Sequence, residues 1–212
     1  MSFGLCKTVA STNYNLMLQE KLKAETKEQH DQLEKLMFVG DIMSRKLTIE
    51  QYRNLVFTNY LIHKQYENLI HATLSTVDAN QLDLANRQKT TSLLADIKEL
   101  GINTDELEDR NATTLLNNAT AAYALGAMYV LEGATLGGSV IYKQLKLNPN
   151  FEDGFNFNYY TVYGKELLSK WQNFLQVLNA LPETDHQHAI NGANMMFEQI
   201  AQVAKSQKEQ TV

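Results

Sequence analysis

The stretch Tyr123-Ala124-Leu125-Gly126-Ala127-Met128-Tyr129-Val130-Leu131-Glu132-Gly133-Ala134-Thr135-Leu136-Gly137-Gly138-Ser139-Val140-Ile141 decides how this chain is read. It is apolar enough for a core helix, yet four of the chain's ten glycines, Gly126, Gly133, Gly137 and Gly138, fall within thirteen residues. An interior glycine costs a helix about 1 kcal/mol relative to alanine, so the run gives up roughly 3–4 kcal/mol of local stability. Two readings offset that cost. Small residues let two helices approach closely, or let one helix stop and restart. Alternatively, a flat ligand lies directly against the backbone, where a β-carbon would collide with it. The residue pattern leaves both open.

Outward from this stretch the periodicity is helical. Leu16 to Met37 carries Leu18, Leu22, Leu33 and Met37 on one face and reads as a first helix. Thr48-Ile49-Glu50-Gln51 has the form of a capping box and opens a second through Ile70. Leu84 to Leu100 reads as a third, stopped at Gly101. The glycine-rich helix is expected over Thr113 to Leu147, ahead of Pro149. Tyr159 to Leu181 reads as the next, with Trp171 and Phe174 as core, and Thr184-Asp185-His186-Gln187 as a second capping box opening the last helix. His186 and His188 are expected at the surface. With 2 Pro and no regular turn-separated β-rich runs, the fold class is all-α. The 212 residues fit one domain, 1–15 forming a flexible N-terminal segment.

Composition narrows the function classes. Hydrophobic residues at 44% and charged residues at 20% are globular values. A net charge of −5 gives no basic footprint for nucleic acid. Cys6, the single cysteine, allows neither an internal disulfide nor a structural zinc site, which points to a reducing cytoplasm. No targeting segment is evident in Met1 to Leu18, and the apolar stretch Ala121 to Leu131 is too short to span a bilayer, so no membrane role is expected.

In Leu22-Lys23-Ala24-Glu25-Thr26-Lys27-Glu28-Gln29-His30-Asp31-Gln32-Leu33-Glu34, His30 stands three residues before Leu33 and eight after Leu22, at the border of the apolar face. Lys27 and Lys23 lie three and seven residues earlier, about 4.5 and 10.5 Å along the helix axis on roughly the same side. Haem needs a neutral imidazole for its iron, an apolar slot for its ring, and cations for two propionates. One helix can supply the ligand and the cations. The plain alternative is a structural histidine beside an apolar stripe, with two solvated lysines paired to acidic neighbours.

Leu22 to Glu34 resembles the proximal helix of haem oxygenases, and Leu125 to Ile141 resembles their glycine-rich distal helix, particularly that of bacterial members. Weaker similarity runs through Tyr52 to Ile70 and Tyr159 to Leu175. The resemblance implies a single-domain, multi-helix fold with haem held between the proximal and distal helices. It also implies oxygen- and electron-dependent cleavage of haem, at once cofactor and substrate, to biliverdin, carbon monoxide and ferrous iron. His30 would be the proximal ligand of the haem iron, and Lys23 and Lys27 would pair with propionates. Gly133, Gly137 and Gly138 would press on the distal face and direct oxygen to a meso carbon. Tyr159 and Tyr160, beside Tyr163, stand where the family often has Lys or Arg near the propionates. The implied partners are an electron-donor protein, a reductase or ferredoxin, and a bilin acceptor protein. No flavin or nicotinamide fingerprint is present in the chain itself.

Beside those tyrosines, a second position departs from the family. Ala134 stands where well-studied members have an aspartate that orders proton-delivering water, which leaves His63 or Glu132 to anchor such water. Two other functions compete. A haem- or bilin-binding carrier would keep His30 but lose turnover through Ala134. A non-haem di-iron oxidase would use the His63, Glu67, His71 stripe, but such sites need paired Glu-x-x-His motifs, and only Glu183 to His186, beside Pro182, has that spacing.

Overall fold

The first helical face is divided. In the computed structural model, which describes residues 17–104, 116, 119–151 and 154–210, α1 (Leu18–Glu25) and α2 (Lys27–Leu36) replace the one helix expected over Leu16 to Met37. The division falls at Thr26, whose backbone sits at φ −108°, ψ 8°. Its buried hydroxyl donates to the Leu22 carbonyl at 2.7 Å, a back-bond of the kind that bends helices. α1 buries Leu18 and Leu22, whereas α2 buries no residue fully. The segment expected to be flexible, 1–15, lies outside the described residues.

A short α3 (Val39–Met43) leads to α4 (Ile49–Thr73), whose capping box forms in both directions between Thr48 and Gln51. Ser75 caps α5 (Thr76–Leu82). The helix expected from Leu84 is a 3-10 turn at Leu84–Asn86 followed by α6 (Thr90–Glu99). Between them the chain turns inward at Arg87 and Lys89, both buried. Gly101 follows α6 with φ +61°, the left-handed stop that its position in the sequence suggests.

The glycine-rich helix, α7, runs Ala121–Lys146 behind Thr120, whose hydroxyl accepts from the Tyr123 N–H. Residues 113–115, where the sequence reading began it, lie outside the described residues. At 26 residues and a mean hydropathy of 1.3 over its most apolar window, α7 is long and apolar enough to cross a membrane, more than Ala121 to Leu131 alone suggests. Here 56% of that window is buried inside the protein, the mark of a core helix. The helix expected over Tyr159 to Leu181 becomes two 3-10 turns, Asn158–Thr161 and Gly164–Glu166, before α8 (Leu167–Asn179). Likewise, α9 (His186–Gln210) starts behind a 3-10 turn at Glu183–Asp185 rather than from a capping box at Thr184.

α7 is the axis of this all-α domain. It packs along α9 and against α4, α8 and the turn at Asn158–Thr161. One core joins α1, α4, α7, α8 and α9 through residues such as Leu22, Tyr66, Met128, Phe174 and Met196. A second gathers Ile42, Tyr52, Leu93, Leu145 and Phe157 beneath α3, α4 and α6. α2 packs on α3 and α9, both of which pack on α7, while α2 has no comparable packing on α7 itself.

Candidate active site

Two histidines illustrate what the site is and is not. His63, on α4, is a satisfied core residue: 1% exposed, its Nδ1 lies 3.1 Å from Glu67 Oε1 and its Nε2 3.5 Å from the Tyr159 hydroxyl. Burial outweighs the nearby carboxylate and lowers its pKa, so it is held neutral. His30 is the opposite, with a side chain 58% exposed. Its Nδ1 is 3.8 Å from both Asp31 Oδ1 and Glu34 Oε1, within electrostatic reach but beyond hydrogen-bond distance. Carboxylates on that side favour the tautomer with hydrogen on Nδ1, which leaves the lone pair on Nε2. The ring also meets Phe197 of α9 edge-on, at 6.2 Å.

Lys23 and Lys27 are exposed on the same helical pair. Lys27 forms a 2.5 Å ion pair with Asp31, one turn on, which raises the lysine pKa and lowers that of the aspartate. Among the described residues, the His and carboxylate groups whose ligand atoms converge within 4.8 Å are His30, Asp31 and Glu34. The His63, Glu67, His71 stripe does not converge in this way. Glu67 instead accepts from the Lys89 N–H, the Thr90 N–H and the Thr90 hydroxyl, which with His63 overcome burial and pull its pKa down to about 2.

The glycines of α7 divide into groups. A β-carbon on Gly126 would lie 1.8 Å from the Ala189 carbonyl oxygen, and one on Gly192 of α9 would lie 1.9 Å from that of Tyr123. These two glycines permit backbone contact between α7 and α9. Gly133 and Gly137 have nothing within 4 Å of the position a β-carbon would take. Around them, Ala134, Gly137 and Val140 are exposed and Leu136 is half-buried, and no charged residue occurs from Gly133 through Tyr142. A β-carbon on Gly138, one step round the helix, would instead lie 3.0 Å from Tyr160 Cδ1. Tyr159 and Tyr160 are themselves buried, at 2% and 8% exposure, in the 3-10 turn that packs on both α7 and α6.

Behind the open glycines lies a network that the sequence does not announce. Glu132, 2% exposed, accepts from Arg87 at 2.7 Å, from Lys89 at 2.6 Å, and from the Tyr163 hydroxyl at 2.9 and 3.1 Å. Burial alone would raise its pKa, but the two cations win and lower it. In the sequence Glu132 stands out only as a possible water anchor beside Ala134, and Arg87 and Lys89 look like surface residues on a helix. A polar cleft of about 540 Å³ opens beyond this network, lined by Asp83, Tyr163, Glu166, Lys170 and Asn173. It includes neither His30 nor the open glycines, and its charged rim suits no flat apolar ring.

An open, uncharged helix face and an exposed imidazole are the features a haem-holding protein needs. Comparison with known proteins agrees. The structure is similar to that of haem oxygenase from Leptospira interrogans, at TM-score 0.75 and 15% identity over 90% of this chain and 100% of that one. It is similar also to haem oxygenase-1 from the cyanobacterium Synechocystis in complex with haem, at TM-score 0.73 and 19% identity over 92% and 94%. The NO- and CO-bound haem oxygenase of Neisseria meningitidis aligns at TM-score 0.71 and 19% identity over 91% and 92%. Among curated proteins, none matches the sequence. The profile of the family described as "Heme oxygenase" matches residues 16–206, nearly the whole chain. By that match, the chain belongs to the haem oxygenase family.

Proposed function

We propose that the protein binds haem through His30 and cleaves it to biliverdin, carbon monoxide and ferrous iron, in the cytoplasm. The observation that carries this reading is the open face of α7 at Gly133 and Gly137, where missing side chains leave room for a flat ring on a helix that is otherwise core. Haem fits the donor set: the exposed imidazole of His30, an uncharged apolar surface, and two exposed lysines on the histidine's helical pair. Haem, when bound, supplies the oxygen-activating iron and the ring that is opened, with electrons from a reductase or ferredoxin.

The chain's own residues do the rest. His30 presents Nε2 and keeps Nδ1 toward Asp31 and Glu34, whose charge makes the imidazole a stronger donor. Lys23 and Lys27 orient the ring by its propionates, and orientation decides which meso carbon is attacked. Gly133 and Gly137 admit the ring, which would itself displace water from that face. Gly138 supports them from behind through Tyr160, and Tyr159 and Tyr160 serve as packing for α7 rather than as propionate contacts, given their burial. A bilin acceptor is the natural recipient of the product.

Aerobic turnover of reconstituted haem with product identification tests the reading. A bilin spectrum replacing the Soret band is expected, whereas an unchanged Soret band under reductant and oxygen would make the protein a carrier. His30→Ala should abolish the imidazole-ligated spectrum and leave the apo melting temperature within about 1 °C, because an exposed side chain contributes little burial. A mutant spectrum matching wild type would move the ligand elsewhere.

A further inference from the structure

Glycines make a helix soft, and α7 places two of them where a ring-binding surface needs to be firm. Something outside the glycine run has to hold it. The residue before Gly133 is Glu132, whose buried carboxylate is bonded to three residues from two segments: Arg87 and Lys89 at the inward turn before α6, and Tyr163 between the 3-10 turns. Arg87 is further fixed by the carbonyls of Leu82 and Lys170 and by Asn173 Oδ1, so the turn, α7 and α8 share one guanidinium. The Glu132 carbonyl accepts from the Thr135 hydroxyl at 2.6 Å within the run itself.

We propose that Glu132 is a positioning residue for the haem-facing surface: held by Arg87, Lys89 and Tyr163, it locks the rotation and register of α7 at Gly133 and Gly137. This rests on the reading that haem lies against those glycines. Glu132 touches neither haem nor oxygen in this scheme. It acts through the backbone of the residue that follows it. The lock offsets the flexibility that the glycines introduce, and it uses a carboxylate with two cations because one polar contact would not fix both rotation and translation.

Two variants separate the lock from general stability. Tyr163→Phe removes one donor and keeps both ion pairs, and Glu132→Gln keeps the side-chain length and removes the anion. Apo-protein amide exchange over residues 131–138 should accelerate about tenfold in Tyr163→Phe, the loss expected for one hydrogen bond to a charged group, with α9 unchanged. In the haem-loaded protein, the stretching band of carbon monoxide on ferrous haem should shift or broaden in both variants well below the melting temperature, while haem affinity changes less than about threefold. If Glu132→Gln fails to fold, Tyr163→Phe decides alone, since its charges remain paired. Unchanged exchange and an unchanged carbon monoxide band, with normal haem binding, would overturn the lock. A wild type that binds no haem would instead overturn the reading beneath it, visible before any variant is made.

Discussion

The two halves of α7 use glycine for opposite ends. In the first half, Gly126 gives way to the Ala189 carbonyl, and Gly192 reciprocates from α9, so the missing side chains are filled by backbone. In the second, the space at Gly133 and Gly137 is open. Close helix packing, one of the two explanations the sequence offers for the run, holds at Gly126, while about two and three turns on the helix keeps the open space that the other, ligand accommodation, requires. The difference teaches that a glycine's role is set by what stands opposite it, not by the company it keeps along the chain.

Substitution can break this contrast. Gly126→Ala should have the largest effect, since a β-carbon 1.8 Å from a backbone oxygen forces α7 and α9 apart. A loss of about 3 kcal/mol or more in urea unfolding is expected, at the upper end of overpacking costs. Gly138→Leu comes next: its first atom meets Tyr160 at 3.0 Å, so the apo-protein should lose about 1–3 kcal/mol. Retained stability there would mean that Tyr160 moves aside freely. Gly137→Leu should do the reverse, gaining up to about 1 kcal/mol in the apo-protein from helix propensity while haem titration loses its saturable phase. Were Gly137→Leu to destabilise the apo-protein as Gly126→Ala does, the open face would be a second packing surface.

The smallest effect concerns pH. Burial lowers the pKa values of His63 and His71, so the unfolded chain binds protons more readily than the folded one. Their contribution is complete above the ordinary value near 6.5 and is lost as pH falls from there through the folded values. Apo melting temperature should therefore decline between pH 7 and pH 5, before Glu67, with a pKa of about 2, begins to protonate in the folded state. His63→Gln should make the decline shallower. A slope unchanged by that substitution would assign the acid sensitivity to other groups.

Local signals in the sequence located what local chemistry decides. Thr48 and Gln51 cap α4 through atoms three residues apart, and Gly101 ends α6 through its own φ, so both could be read directly. The breaks before α6 and α8 could not. Asp96 accepts the N–H groups of Asn158 and Tyr159 across more than sixty residues, at 2.7 and 2.8 Å, which diverts them from a continuous helix. Arg87 and Lys89 similarly leave the helical path for Glu132. Periodicity treats a charged residue as solvent-facing, so a buried ion network is invisible to it. His30, Lys23 and Lys27 can be singled out together because they share one short segment, and all three are exposed, whereas the burial of Tyr159 and Tyr160 depends on the fold around α7.

The division at Thr26 has a consequence for how a ring enters. α2 carries the histidine, buries no residue fully, and is held to α9 in part by the Gln29 to Asn194 side-chain bond at 3.0 Å. Its apolar contact with the core is made by half-buried Leu33, whereas the fully buried Leu18 and Leu22 belong to α1 on the other side of the break. A segment so constructed should open by local unfolding at a lower free energy than the whole domain. In the haem-free protein the amides of α2 should therefore exchange before those of α7 and α9, and haem ligation through His30, as proposed, should slow them by mass action.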